Sequence, residues 1–594
     1  MCILFIGCTV QKEKIPPVPT MQQATNKVIV YQLMTRLFGN QKTVNKAYGT
    51  LEENGVGKFK DINDKALKSL QELGITHVWY TGVIEHALLT DYTAYGMPLD
   101  DADVVKGRAG SPYSIKDYYD VNPDLAVDVP NRMKEFEQLV ERTHANGLKV
   151  IIDFVPNHVA RRYKSDAKPA GVKDLGEADN NTVAFRASNN FYYLPGQSFQ
   201  PPKDYVALGT ENAFPTKDGK FDETPAKVSG NGSITPSPQM FDWFETVKLN
   251  YGVDIQQGNK TYFDPIPDTW VKMKDILVFW AEKKVDGFRC DMSEMVPVEF
   301  WNWAIPQVKT VNPEIIFVAE IYNPTQYENY IQTGKFDFLY DKVQLYDTLR
   351  YLIGGQRSTS DIEVIQKSLE AINSNMLHFM ENHDEQRIAS TFFAGGSWKA
   401  APAMVISATI DQGAVMIYFG QEVGEPAAGN PGFGNIEGVG VTTKWDYWGV
   451  PEHQKWMNGG AFDGGLLSDE QKQVRQFYGD LLNLSQKNKA VIAGSYYDLT
   501  AFNVKAGNFG NDVHAFIRNN GDERLLIVTS FNANTKEVKV RIPEYVAKSI
   551  GLGQDKVYIA RDLLWKEVEV GIHNDFSIGL TLKPYSSFIF KIKE

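Results

Sequence analysis

One unit recurs along this chain and constrains its fold more than any other feature: a short β-branched or aromatic run, a polar loop, then an amphipathic helical stretch. "KVIVYQLM" (27–34) is the first such run. "KALKSLQELGITHVWYTGV" (65–83) reads as helix then strand, and "NRMKEFEQLVERTHANGLKVIIDFVPNH" (131–158) repeats that order, with "ANG" closing the helix. Further runs are "VDGFRCDM" (285–292), "EIIFVAEIY" (314–322), "FDFLYD" (336–341), "NMLHFMENHD" (375–384) and "GAVMIYFGQE" (413–422). Eight strand candidates with helices such as "DIEVIQKSLEAIN" (361–373) between them predict an α/β fold, a (β/α)8 TIM barrel. A doubly wound sheet is the competing architecture. Eight units and no Gly-rich nucleotide fingerprint weigh against it.

The rhythm breaks twice. About 110 residues rich in Gly, Pro, Asn and aromatics separate Asn157 from the helix near Asp268. A structureless loop of that length is improbable in a compact domain, so a small irregular domain is expected there, inserted after the third strand. Beyond the amphipathic helix "DEQKQVRQFYGDLLNLSQKNKA" (469–490), short alternating strands take over and predict a terminal β-sandwich. The resulting division is 1–26 as a leader, 27–157 and 266–490 as barrel, 158–265 as insertion, and 491–594 as the all-β domain.

With 594 residues, 43% hydrophobic and 23% charged, the chain has ordinary globular composition. Its formal charge of −12 opposes a polyanionic partner, and no Lys/Arg run offsets it, so no nucleic acid is expected. Aromatics at 12% fit either core or a cleft whose faces stack on sugar rings. Three cysteines, Cys2, Cys8 and Cys290, make no disulfide framework; Cys290 reads as a small buried filler. The apolar run Cys2 to Gly7 is too short to span a bilayer. "FIGC" before polar, Pro-rich residues resembles a bacterial lipoprotein cleavage box with Cys8 lipidated. That reading places the chain at the cell envelope, lipid-anchored or periplasmic. The alternative is a frayed terminus on a cytoplasmic protein. A monomer is expected.

Catalytic groups of such barrels sit at the carboxyl ends of the strands, so charged residues closing the runs can be read as facing one cleft. Asn157 and His158 close the third, Arg289 and Asp291 the fourth, Glu320 the fifth, His383 and Asp384 the seventh. Convergent carboxylates repel one another and their pKa values separate. Glycoside chemistry needs that separation, one carboxylate ionised and another protonated. Arg289, two residues before Asp291, points to the same side of a strand and can hold it ionised. Each residue also has a structural reading. Asp291 could cap "SEM", Glu320 could be an ion-pair partner, Asp384 could pair with Arg387, and either histidine could be a satisfied core residue. Zinc is disfavoured because the histidines lack His-x-x-x-His spacing.

These motifs resemble the α-amylase family of glycoside hydrolases (family 13) over nearly the whole chain. "DFVPNH" (153–158), "GFRCDMSEM" (287–295), "FVAEIY" (317–322) and "FMENHD" (379–384) are similar to its four signatures, in order; "SPYSIKDYYDVNP" (111–123) and "GQE" (420–422) are similar to its segments after strand two and at strand eight. The resemblance implies Asp291 as nucleophile, Glu320 as general acid and then base, and Asp384 as transition-state stabiliser. It implies sugar-ring contacts from His158 and His383, stacking by Tyr113, and Arg289 holding Asp291. Retention of anomeric configuration is also implied, with the Asp291 and Glu320 carboxyls about 5–5.5 Å apart.

Some positions depart from the family pattern. Glu294 and Met295 stand where lysine and histidine are common on the acceptor side, and Pro112 stands where glycine precedes the tyrosine. The stretch "GNPGFGNIEGVGVTTKWDYW" lacks the arginine that often binds donor-side sugars. The resemblance leaves a structural calcium open: Asn157 matches a frequent ligand, and Asp174, Glu177 and Asp179 form an acidic cluster. No organic cofactor is expected. The implied activity is hydrolysis of α-1,4-glucans such as starch and maltodextrins. Alternatives are a transglycosylase with the same three carboxylates and a silent glucan-binding member, against which all three carboxylates speak.

Overall fold

The computed structural model describes residues 26–205, 214–432, 438–521 and 523–594. Cys2, Cys8 and the lipoprotein-like box lie outside them. Eight parallel strands close a barrel: β1 (Ile29–Met34), β2 (His77–Thr81), β3 (Lys149–Phe154), β4 (Gly287–Cys290), β5 (Ile316–Ala319), β6 (Phe338–Tyr340), β7 (Met376–Phe379) and β8 (Ala414–Tyr418). Each falls within one of the eight sequence runs. Covered by helices outside and side chains inside, these strands are buried on both faces, which is why they read as near-continuous apolar stretches. Gly287 opens β4 because a Cβ there would stand 2.8 Å from Ile316 Cγ1 and 3.1 Å from Ile151 Cγ1 on the flanking strands.

The connecting helices start where the sequence supplies caps. Asn63 accepts the N–H groups of Lys65 and Ala66 at the head of the helix Asp64–Glu72, and Ser468 with Gln471 forms a capping box for Asp469–Lys487. None of the helices among the described residues is long and apolar enough to cross a membrane.

Between β3 and the helix Asp268–Glu282 the described residues form only two- and three-residue strand pieces, among them His158–Ala160 paired with Thr246–Lys248. After β2, a bulged hairpin pairs Ile84–His86 with Ile115–Val121 and carries Tyr113 to the barrel mouth. The C-terminal part holds a six-stranded antiparallel sheet and a two-stranded sheet, Lys536–Arg541 with Ser577–Leu582, around a core of its own that includes Val528, Val540 and Ile578. It is not purely β: six-residue helices, Thr500–Lys505 and Glu544–Ser549, interrupt it.

Candidate active site

Register brings the first acids together. In the parallel pair β4–β5, Arg289 stands opposite Val318 and Cys290 opposite Ala319, so the residues that follow, Asp291 and Glu320, leave the two strands level with each other. The amide of Asp291 still donates to Phe154 O at 2.9 Å and that of Glu320 to Cys290 O at 3.1 Å, extending the ladder by one residue. Met292 then turns into the left-handed region at φ 41°, a conformation that costs a side-chain-bearing residue about 1–2 kcal/mol. The turn aims its N–H at Glu320 Oε2, 2.8 Å away. Asp291 therefore does not cap "SEM"; Met292 occupies that position.

Arg289 is the pivot. Its Nη1 lies 2.8 Å from Asp291 Oδ1 and its Nη2 2.7 Å from Glu320 Oε2, while Asp153 Oδ1 is 3.6 Å from Nη1. The guanidinium is 1% exposed and packs among the rings of Trp79, Tyr113 and Tyr340, with centroids 5.3–5.5 Å away. A charge so buried is tolerable only when paired. Burial raises the Glu320 carboxyl, the Arg289 charge opposes that rise, and the nearby Asp291 adds to it. The net direction is upward, toward a carboxyl that keeps its proton.

Above this pair lies a cavity of about 270 Å³ whose wall includes Tyr113, His158, Asp291, Glu320 and Asp384. Five of the seven sequence-predicted residues thus meet at one pocket. Arg289 and His383 do not line it; both sit beneath, so their reach to a ligand runs through the groups they hold. His383 Nε2 is 3.1 Å from Asp384 Oδ2 and bonds the Tyr113 hydroxyl, with Gln32 Nε2 on Nδ1 at 2.7 Å. Burial, reinforced by the charges of Lys444 and Arg289, keeps its imidazole neutral. His158 Nε2 is 4.0 Å from Asp291 Oδ2, and burial pushes its pKa down to about 3. Asp384 is not paired with Arg387, which bonds Glu381 at 2.9 Å.

Other wall residues were not singled out in the sequence. Tyr322 donates to Glu320 Oε1 at 2.7 Å. Trp243 and Trp445 line the cavity, and Lys106 pairs with Glu245 at 2.6 Å. Lys444 donates to Asp384 Oδ1 from the segment after β8. Desolvation lowers its pKa to about 8, although Glu320 and Asp291 pull the other way. It lies in the stretch that lacks arginine and is the lysine of that stretch.

Around Asn157 the donor set does not fit a metal ion. Asn157 Oδ1 accepts from the ammonium of Lys248, itself buried. Asp174 pairs with Lys168, and Asp179 accepts the N–H groups of Asn190 and Phe191 at 2.7 and 3.0 Å. Cys290 is fully buried, its thiol pushed up by desolvation, in keeping with a filler.

The α-amylase catalytic-domain model matches residues 40–225 and 266–430. Alpha-amylase 3 of Dictyoglomus thermophilum is 24% identical over 506 residues, covering 81% of this chain and 82% of that protein. Oligo-1,6-glucosidase of Bacillus cereus is 22% identical, covering 95% and 98%. In three dimensions the chain is similar to the α-amylase of Geobacillus thermoleovorans solved with acarbose, at TM-score 0.59 and 17% identity, covering 96% of this chain and 98% of that one. The family model spans more than half of the chain, and eight parallel strands close its barrel. The chain therefore belongs to the α-amylase family, family 13 of the glycoside hydrolases, and is an α-amylase-type glycosidase.

Proposed function

We propose that the enzyme is a retaining hydrolase of α-1,4-linked gluco-oligosaccharides. The observation that carries this reading is the bridging of Asp291 and Glu320 by one guanidinium, with Glu320 shifted toward its protonated form. Asp291 attacks the anomeric carbon while Glu320 delivers its proton to the departing glycosidic oxygen, leaving a covalent glycosyl-enzyme. Glu320, now a carboxylate, takes a proton from the incoming water, which releases the sugar with its configuration retained. Asp384 and the neutral ring of His158 face the sugar on which positive charge develops, with His383 holding Asp384 and Tyr113 from beneath, and an anionic wall favours that charge. Lys444 supplies the donor-side cation.

A cavity of about 270 Å³ falls below the roughly 300–1,000 Å³ of pockets that enclose drug-sized ligands, so it suits one reacting ring and part of its neighbour. Relatives named oligo-1,6-glucosidase and neopullulanase leave the linkage to be tested.

Product analysis on maltoheptaose, amylose and pullulan tests the reading. Small α-configured products from maltoheptaose and from amylose are expected. Longer products on adding glucose would assign the enzyme as a transglycosylase. Cleavage confined to α-1,6 bonds would overturn the linkage.

A further inference from the structure

We propose that Glu85, Asp117 and Asp166 form a calcium site that ties the hairpin carrying Tyr113 to the segment inserted after β3. Glu85 and Asp117 face each other across the hairpin, and Asp166 arrives from the insertion. One carboxylate oxygen from each residue lies within 4.8 Å of the others. Oxygen ligands at about 2.3–2.6 Å from Ca2+ can be up to about 5 Å apart across the ion, so three at this spacing can share one.

An acidic cluster alone would be weak ground; Glu85 supplies the second observation. It is 3% exposed, and its Oε2 is buried with no hydrogen-bond partner. An unpaired buried acceptor costs about 1–3 kcal/mol, more when charged. The neighbouring cations are engaged elsewhere. Lys116 Nζ bonds Asp100 Oδ2 at 3.1 Å and Pro98 O at 3.0 Å. Arg132 bonds Asp120 and stands 4.0 Å from Asp166 Oδ1. Four acids, Glu85, Asp117, Asp120 and Asp166, thus share two nearby cations, Lys116 and Arg132, whose hydrogen bonds go to Asp100 and Asp120.

The frame is already set for an ion. Asp117 Oδ1 accepts the N–H of Tyr119 at 2.7 Å, and Oδ2 accepts those of Asp166 and Ala167 at 2.9 and 3.2 Å, fixing the turn that presents Asp166. The Asp166 side chain is 46% exposed, which leaves an entry path and room for water ligands. All-oxygen, carboxylate-rich donors without imidazole or thiolate select a hard cation.

The test uses the full chain stripped with EDTA and titrated with Ca2+ by calorimetry and thermal melting. One Ca2+ per chain and a rise in Tm are expected, with Asp166→Asn and Glu85→Gln each weakening binding at least tenfold. Asp166 is at the surface, so Asp166→Asn decides even where Glu85→Gln fails to fold. No Ca2+ bound by the wild type, or unchanged affinity in Asp166→Asn, would overturn the proposal.

Discussion

The ammonium of Lys444 rests on Asp384 Oδ1 at the wall of the active-site cavity, reaching it from the segment that follows β8. A sugar entering this pocket meets an ion pair whose two halves can each be exchanged for hydroxyl contacts. Lys444→Ala should therefore lower kcat/KM about 10- to 100-fold, mainly through KM, as expected for loss of a charged hydrogen bond worth about 1.5–3 kcal/mol. Wild-type KM should rise as pH passes about 8, where Lys444 loses its proton, and this rise should be absent in the variant. Steady-state kinetics on maltotriose from pH 6 to 9 checks both.

In the proposed mechanism Glu320 acts on the leaving group in its protonated form, so kcat/KM should fall as pH rises through its pKa. Burial sets that pKa high, and the Tyr322 hydroxyl opposes the rise by donating to the carboxylate. Tyr322→Phe removes the donor, so the alkaline limb should move to higher pH. Glu320→Gln should lose about 10²–10⁴ in kcat and lose the limb itself. A pH profile of the three enzymes decides the matter; a limb that stays put in Tyr322→Phe would speak against Glu320 as the acid.

His378 on β7 tests the barrel. Its Nδ1 is 2.9 Å from Asp341 Oδ2 and its Nε2 3.0 Å from Asp411 Oδ1, all three buried. Burial opposes its charge, but the two carboxylates outweigh burial and raise its pKa from 6.5 to about 9. A raised histidine contributes stability that is full below about pH 6.5 and lost as pH climbs through about 9. The difference amounts to about 3 kcal/mol. Denaturant unfolding should show that decline in the wild type, and a flatter, lower curve in His378→Gln.

The barrel was legible in the sequence for a physical reason. Strands buried on both faces are apolar along their length, and a charge that closes one, as Asp291 closes β4 and Glu320 follows β5, stands out. Loop groups carry no such periodic frame. Lys444, Trp243 and Lys106 reach the pocket only because distant segments pack there. Lys248 finds Asn157 across the paired pieces His158–Ala160 and Thr246–Lys248, a contact that neither residue announces. The two six-residue helices of the C-terminal part are too short for a 3.6-residue period to show.

Peptide mass spectrometry of an enzyme trapped with a slow-turnover fluorinated glucosyl fluoride bears most directly on the pairing of nucleophile and acid across Arg289. The expected adduct is one glucosyl group on the peptide carrying Asp291, absent in Asp291→Asn, with α-configured sugar as first product by NMR. A glucosyl group on any other residue, or a first product of inverted configuration, would contradict it.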